Sequence, residues 1–168
     1  MRLRRKPWID EAIHDYDSHI ILSGQENYKG KWREAFSHPE RPLYMELGTG
    51  KGRFIAGMSE AHPDANFVGF EVQIGVIYYA AQKIFEAERD NAKVSLFDIA
   101  GIEEIVAPGE VDRFYINFCD PWPKAKHAKR RLTYHTFLDR YARLLKDNGE
   151  VHFKTDNEGL FMFSLEEF

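Results

Sequence analysis

Apolar, β-rich runs recur along the chain at residues 42–47, 66–70, 93–97, 113–118 and 150–154, each closed by polar or glycine-containing turns, and predict five strands. Between them the apolar positions take helical spacing over 52–61, 73–89 and 134–145, with a shorter stretch at 102–106. Asp147-Asn148-Gly149 supplies the stop signal after the last of these helices. Strict alternation of strand and helix predicts a parallel sheet, because a parallel pair needs a crossover and right-handed crossovers place helices on both faces. The expected fold class is therefore α/β, a doubly wound and mostly parallel sheet. Residues 1–41 lack strand character and read as an N-terminal arm, with one short helix near 30–36, ahead of an α/β core over 42–168. At 168 residues with no internal repeat, the chain is expected to be a single domain.

Charge adds one feature. The net −4 hides a segregation: residues 1–6 and 124–131 hold nine of the 23 Lys and Arg and no acid, leaving 14 basic residues against 27 acidic ones elsewhere. Contact with a polyanion should then run through those two stretches. The longest apolar run, Val76 to Ala81, is six residues, against ~18–20 for a membrane span, and no apolar segment follows the basic N-terminus as in a signal peptide. Neither a membrane nor secretion is expected. Cys119 is the single cysteine and the seven histidines are scattered, so no disulfide and no metal are expected, which fits a reducing cytoplasm.

In a doubly wound sheet, ligands bind outside the carboxyl ends of the strands. Glu46, Glu71, Asp98 and Asp120 stand at four such ends, and Asp156 lies two residues beyond the fifth. One acid at a strand end is most often a helix cap or a turn residue, whereas five in register point to a ligand. The first strand runs into Glu46-Leu-Gly48-Thr-Gly50-Lys-Gly52-Arg53, whose glycines permit close approach of the backbone to a ligand. The spacing departs from the dinucleotide G-x-G-x-x-G, and Lys51 is not followed by Ser or Thr as in a P-loop. Gly48, Gly50 and Gly52 thus suit a nucleoside without a pyrophosphate.

This loop resembles the E/D-x-G-x-G motif of S-adenosylmethionine-dependent methyltransferases with a Rossmann-like fold, in which Glu71 matches the ribose-binding acid. A narrower resemblance rests on Met45-Glu-Leu-Gly-Thr-Gly50, Asp120-Pro-Trp-Pro-Lys124 with the basic run that follows it, and Phe153-Lys-Thr-Asp-Asn157. Together these closely resemble the bacterial tRNA (guanine-N7-)-methyltransferases, which act on a variable-loop guanosine. The resemblance implies S-adenosyl-L-methionine as cofactor and tRNA as partner. By motif, it makes Glu46, Glu71, Asp98 and Asp120 cofactor-pocket residues, Asp120 the catalytic residue as well, and Lys124 and Asp156 substrate contacts. It brings Lys126, His127, Lys129, Arg130 and Arg131 to the RNA. Chains of that family continue past the position matching Phe168 through a final strand pair and a Thr-x-x-Glu motif, so this chain is expected to be truncated relative to them, with its last strand at an open edge.

Guanine N7 is an unprotonated lone pair, so methylation needs alignment and a welcome for a cationic product more than a general base. Asp120 serves that need, or holds the loop or a methionine ammonium. Trp122 is read either as a stacking surface for the base or as a packing wedge between two prolines. Asp156 contacts substrate or caps the last helix, and Cys119 is a packing residue. Two other readings stay open: the same chemistry on a small molecule or protein, or an RNA-binding fragment without catalysis. Oligomeric state is left open.

Overall fold

The computed structural model describes residue 4 and residues 6–168; Arg2 and Arg5 of the basic N-terminal stretch lie outside them. Six strands form one sheet, β1 (Ile20–Ile21), β2 (Leu43–Leu47), β3 (Asn66–Glu71), β4 (Ala92–Leu96), β5 (Val111–Asn117) and β6 (Leu145–Lys154). Their order is β1-β4-β3-β2-β5-β6 and every pairing is parallel. The doubly wound class read from the alternation is the fold observed. β2 to β5 follow the apolar runs to within two residues.

The arm departs from expectation, since Ile20 and Ile21 pair with Val94 and Ser95 and add a sixth, edge strand. Two residues are too few to show a period-2 pattern, so only tertiary contact reveals this strand. Gly30 and Trp32 of the arm are fixed from a distance. The Glu110 carboxylate accepts the backbone N–H groups of Gly30 (3.0 Å), Trp32 (2.9 Å) and Ala107 (2.8 Å), and Trp32 Nε1 donates to the Ile105 carbonyl at 2.7 Å. The short helix expected near 30–36 is one turn of 3₁₀ helix, Trp32–Ala35.

The last strand also differs. Leu145 already pairs with Val111, and residues 146–149 bulge out before Glu150 pairs with Arg113. Asn148 has a φ of +66°, and a Cβ on Gly149 would stand 2.9 Å from the Lys146 carbonyl oxygen. The Asp-Asn-Gly stop signal is therefore folded as a bulge at the start of β6.

The helices are α1 (Ile9–Ala12), α2 (Arg53–Ala61), α3 (Ile74–Glu86), α4 (His135–Leu144) and α5 (Glu158–Glu167). α3 stops three residues short of the expected 89, where Glu88 turns to a φ of +55°. The expected stretch 102–106 is instead 3₁₀ helix over Ile99–Glu104. Alternate strand residues feed opposite layers. Phe114 and Ile116 pack with Trp32, Phe137 and Tyr141, while Phe67 and Tyr115 pack with Ile55, Ile77 and Ala81. Among the described residues, no helix is long and apolar enough to cross a membrane.

Candidate active site

From β2 the chain steps through β3 to β4 in one direction, and β5 then returns on the other side of β2. The carboxyl ends of β2 and β5 flank the switch point, where a cleft opens in such sheets. Here it is a cavity of about 1110 Å³, and it gathers Glu46, Glu71, Asp98 and Asp120 along one wall of strand ends. These four acids, 74 residues apart at the extremes of sequence, are brought together by parallel register, which sets the strand ends, and, for Asp120, by the loop that follows β5.

The glycine loop folds back on β3, with the N–H groups of Gly48 and Thr49 donating to the Phe70 carbonyl at 3.0 and 2.7 Å. That brings the Thr49 side chain over Gly69, where a Cβ would stand 2.5 Å from Thr49 Oγ1. Gly69 is register partner to Glu46, so the space it leaves lets Thr49 reach the carboxylate. Thr49 Oγ1 donates to Glu46 Oε1 at 2.5 Å, and Asn117 Nδ2 at the end of β5 donates to Oε2 at 3.1 Å. Both Glu46 oxygens are thus held, one from each side of the switch point.

Glu46 is buried, and desolvation pushes its pKa up to about 7; the bonds from Thr49 and Asn117 oppose the shift and the Glu71 carboxylate adds to it. A carboxyl group that binds its proton more tightly folded than unfolded favours the folded state at low pH. That contribution is fully present below about 4.5 and is lost as pH rises through 7. Glu46→Gln should therefore gain stability relative to the parent with rising pH, reaching about 3 kcal/mol above neutrality. Urea unfolding of both proteins from pH 4 to 8 checks this; a difference independent of pH would contradict it.

Glu71 and Asp98 each do two things. Glu71 Oε2 accepts the N–H groups of Val72 (2.8 Å) and Gln73 (3.0 Å), and Asp98 Oδ1 accepts that of Ala100 (2.9 Å). They are turn and helix-start acceptors, as lone strand-end acids commonly are, yet each has a second oxygen and each lines the cleft. Asp120 is exposed at the lip. Cys119 beside it is half-buried, and desolvation raises its thiol to about 11, which leaves it protonated and unreactive at neutral pH.

The remaining expected residues divide. Gly48, Gly50 and Arg130 line the cleft, whereas Gly52, Lys124, Lys126, His127, Lys129, Arg131 and Asp156 do not. Gly52 sits at the start of α2 with a φ of +83°, and its missing Cβ would stand 2.7 Å from Ala80 Cα, so it sets the approach of α2 to α3. Asp156 does not cap the last helix; Asn157 does, accepting the Leu160 N–H at 2.8 Å. The basic run forms a 3₁₀ turn, Ala125–Arg130, that exposes Lys126, Lys129 and Arg130. Trp122 carries the Arg130 guanidinium 5.0 Å over its ring and meets His127 edge-on at 5.7 Å. Lys154, which reaches over the Phe118 ring at the cleft, was not foreseen; the signal available was its place at the end of the last predicted strand. Among the described residues no group of His, Cys, Asp and Glu could hold a metal ion.

A family model described as "Putative methyltransferase" matches residues 40–168. Over all 168 residues the chain is 46% identical to a tRNA (guanine-N(7)-)-methyltransferase of Bacillus licheniformis and 45% identical to one of Bacillus subtilis, covering 78% of each. Among solved structures, a 30S ribosomal A1408 methyltransferase from an uncultured bacterium matches 76% of this chain and 59% of its own, with 19% identity and a TM-score of 0.54. A phosphoethanolamine N-methyltransferase of Haemonchus contortus, in complex with S-adenosyl-L-methionine, matches 76% of this chain and 29% of its own at 15% identity and a TM-score of 0.52. These two likenesses concern the fold. With sequence identity running the full length, the chain belongs to the tRNA (guanine-N(7)-)-methyltransferase family.

Proposed function

We propose that this chain binds S-adenosylmethionine in the cleft and transfers its methyl group to N7 of a guanosine in the variable loop of tRNA. The observation that carries the reading is the junction of two surfaces within five residues: Asp120 on the lip of the acidic cleft, and the basic turn that begins at Ala125. The donor set suits the cofactor. Glu71 keeps an oxygen for a ribose diol, Asp98 one for an adenine amino group, and a cleft lined by four acids favours a ligand with an ammonium and a sulfonium. When bound, that cofactor supplies an electrophilic methyl group.

The chain's own residues then have three tasks. The glycine loop and the strand-end acids orient the cofactor. Asp120 accepts hydrogen bonds from the guanine N1–H and amino group, and its charge offsets the positive charge that grows on the purine. Lys124, Lys126 and Lys129 meet phosphates; their side chains are exposed and have no hydrogen-bond or ion-pair partner among the described residues. No proton need leave N7, so positioning and charge carry the catalysis.

Incubating the protein with labelled cofactor and bulk tRNA, then mapping the labelled base, tests the reading. Label at N7 of a tRNA guanosine is the expected result, and label on protein or small molecules alone would overturn it. The basic turn gives a separate expectation. Replacing Lys126 and Lys129 by Ala should flatten the dependence of log affinity on log salt by roughly 0.7–0.9 for each phosphate that is no longer neutralised. Cofactor affinity should stay unchanged. A slope equal to the parent's would remove the turn from the RNA interface.

A further inference from the structure

Arg131 ends the basic run, but its side chain does not join the exposed lysines. Its Nε stands 3.1 Å from the carbonyl oxygens of both Pro121 and Trp122, and Nη2 donates to the Trp122 carbonyl at 2.9 Å. The guanidinium carbon lies over the ring of Phe163 in α5, 4.5 Å from its centroid. The Nε–Nη2 edge, one of the edges that can fork a phosphate, is already occupied by main chain.

The loop it touches needs holding. Phe118 and Trp122 have φ values of +52° and +43°, a left-handed region that side chains with a Cβ disfavour. Pro121 and Pro123 have no N–H to give. From Cys119 to Pro123 the main chain makes no hydrogen bond to other main chain among the described residues. The segment that carries Asp120 is therefore strained, unable to tie itself down, and fastened from outside at the carbonyls next to Asp120.

We propose that Arg131 is a positioning residue: its guanidinium, braced on Phe163, clamps the Pro121 and Trp122 carbonyls and so fixes Asp120 at the cleft. In the reaction proposed above, on which this role rests for its meaning, Arg131 acts through Asp120 and not on RNA phosphate. The basic run then contains two devices. Lys126 and Lys129 face outward to a polyanion, while Arg131 turns inward and couples α5 to the active-site loop.

The test uses the three tryptophans, Trp8, Trp32 and Trp122, labelled with 5-fluorotryptophan and assigned with Trp122→Phe. Without any RNA, Arg131→Lys, Arg131→Gln and Phe163→Leu should each shift or broaden the Trp122 fluorine resonance. The resonance of Trp32, fully buried in the core, should stay in place and report an intact fold. With tRNA, Arg131→Gln should keep the parent's salt slope, whereas Lys129→Ala should lower it by roughly 0.7–0.9. In methyl transfer, Arg131→Gln should lose at least tenfold in kcat with less than a threefold change in KM for tRNA. An unmoved Trp122 resonance in all three variants overturns the clamp. So does a salt slope in Arg131→Gln reduced as far as in Lys129→Ala. If the parent itself transfers no methyl to tRNA, the functional reading fails, and the fluorine spectra still decide whether Arg131 holds the loop.

Discussion

Asp120→Asn should lower single-turnover methyl transfer by about 100-fold or more while changing tRNA affinity less than about threefold. Asparagine keeps the size of the side chain and one acceptor oxygen, so one of the two hydrogen bonds to the base can still be made. It removes the second acceptor and the charge, and charge matters most as the purine becomes cationic. An exposed carboxylate at the lip of a cleft lined by three other acids is well placed for that task. Cofactor affinity, measured by calorimetry, separates a role in transfer from one in holding the methionine ammonium. Equal losses in rate and in tRNA binding would reduce Asp120 to a positional contact, and full activity would exclude it from catalysis.

Gly52→Ala should destabilise the fold by about 2–5 kcal/mol, the combined cost of a left-handed backbone bearing a Cβ and of overpacking a tight helix contact. The glycine has a φ of +83°, and the added methyl group would stand 2.7 Å from Ala80 Cα and 2.8 Å from Ala80 Cβ. Backbone on the far side cannot step aside as a flexible side chain does. Urea unfolding measures the loss, and a midpoint within error of the parent would contradict it. Gly48 and Gly50, which have no atom within 4 Å of an added Cβ, should tolerate alanine better in packing terms although both have positive φ.

The contrast among these glycines marks what could be read from the sequence. The spacing G-x-G-x-G announced a strand-to-helix turn and a ligand loop, yet it could not say that its third glycine serves helix packing while the first two line the cleft. The strand-end acids were legible because parallel strands place their carboxyl ends on one edge, so Glu46, Glu71, Asp98 and Asp120 needed no side-chain detail. The Thr49–Glu46–Asn117 bridge was not legible, since it depends on the gap at Gly69 in a neighbouring strand. Likewise, five basic residues in eight positions look alike in sequence. Only the folded carbonyls of Pro121 and Trp122 single out Arg131.

The arm's anchors have a consequence for synthesis on the ribosome. Residues 19 to 33 are made before their partners, which are the Arg89 and Leu96 carbonyls and the Glu110 and Asp112 carboxylates. At ~5–20 residues per second, on the order of 4–20 s passes before Asp112 has been made. Until β4 is made Ile20 and Ile21 lack the edge they pair with, and until Ile105 and Glu110 are made Trp32 lacks the acceptors of its indole and main-chain N–H groups, although Phe70, which its ring meets edge-on, comes earlier. The arm is thus made before its anchors and docked after them, and a nascent chain arrested shortly after β4 should leave Trp32 more open to solvent quenchers than one arrested after β5.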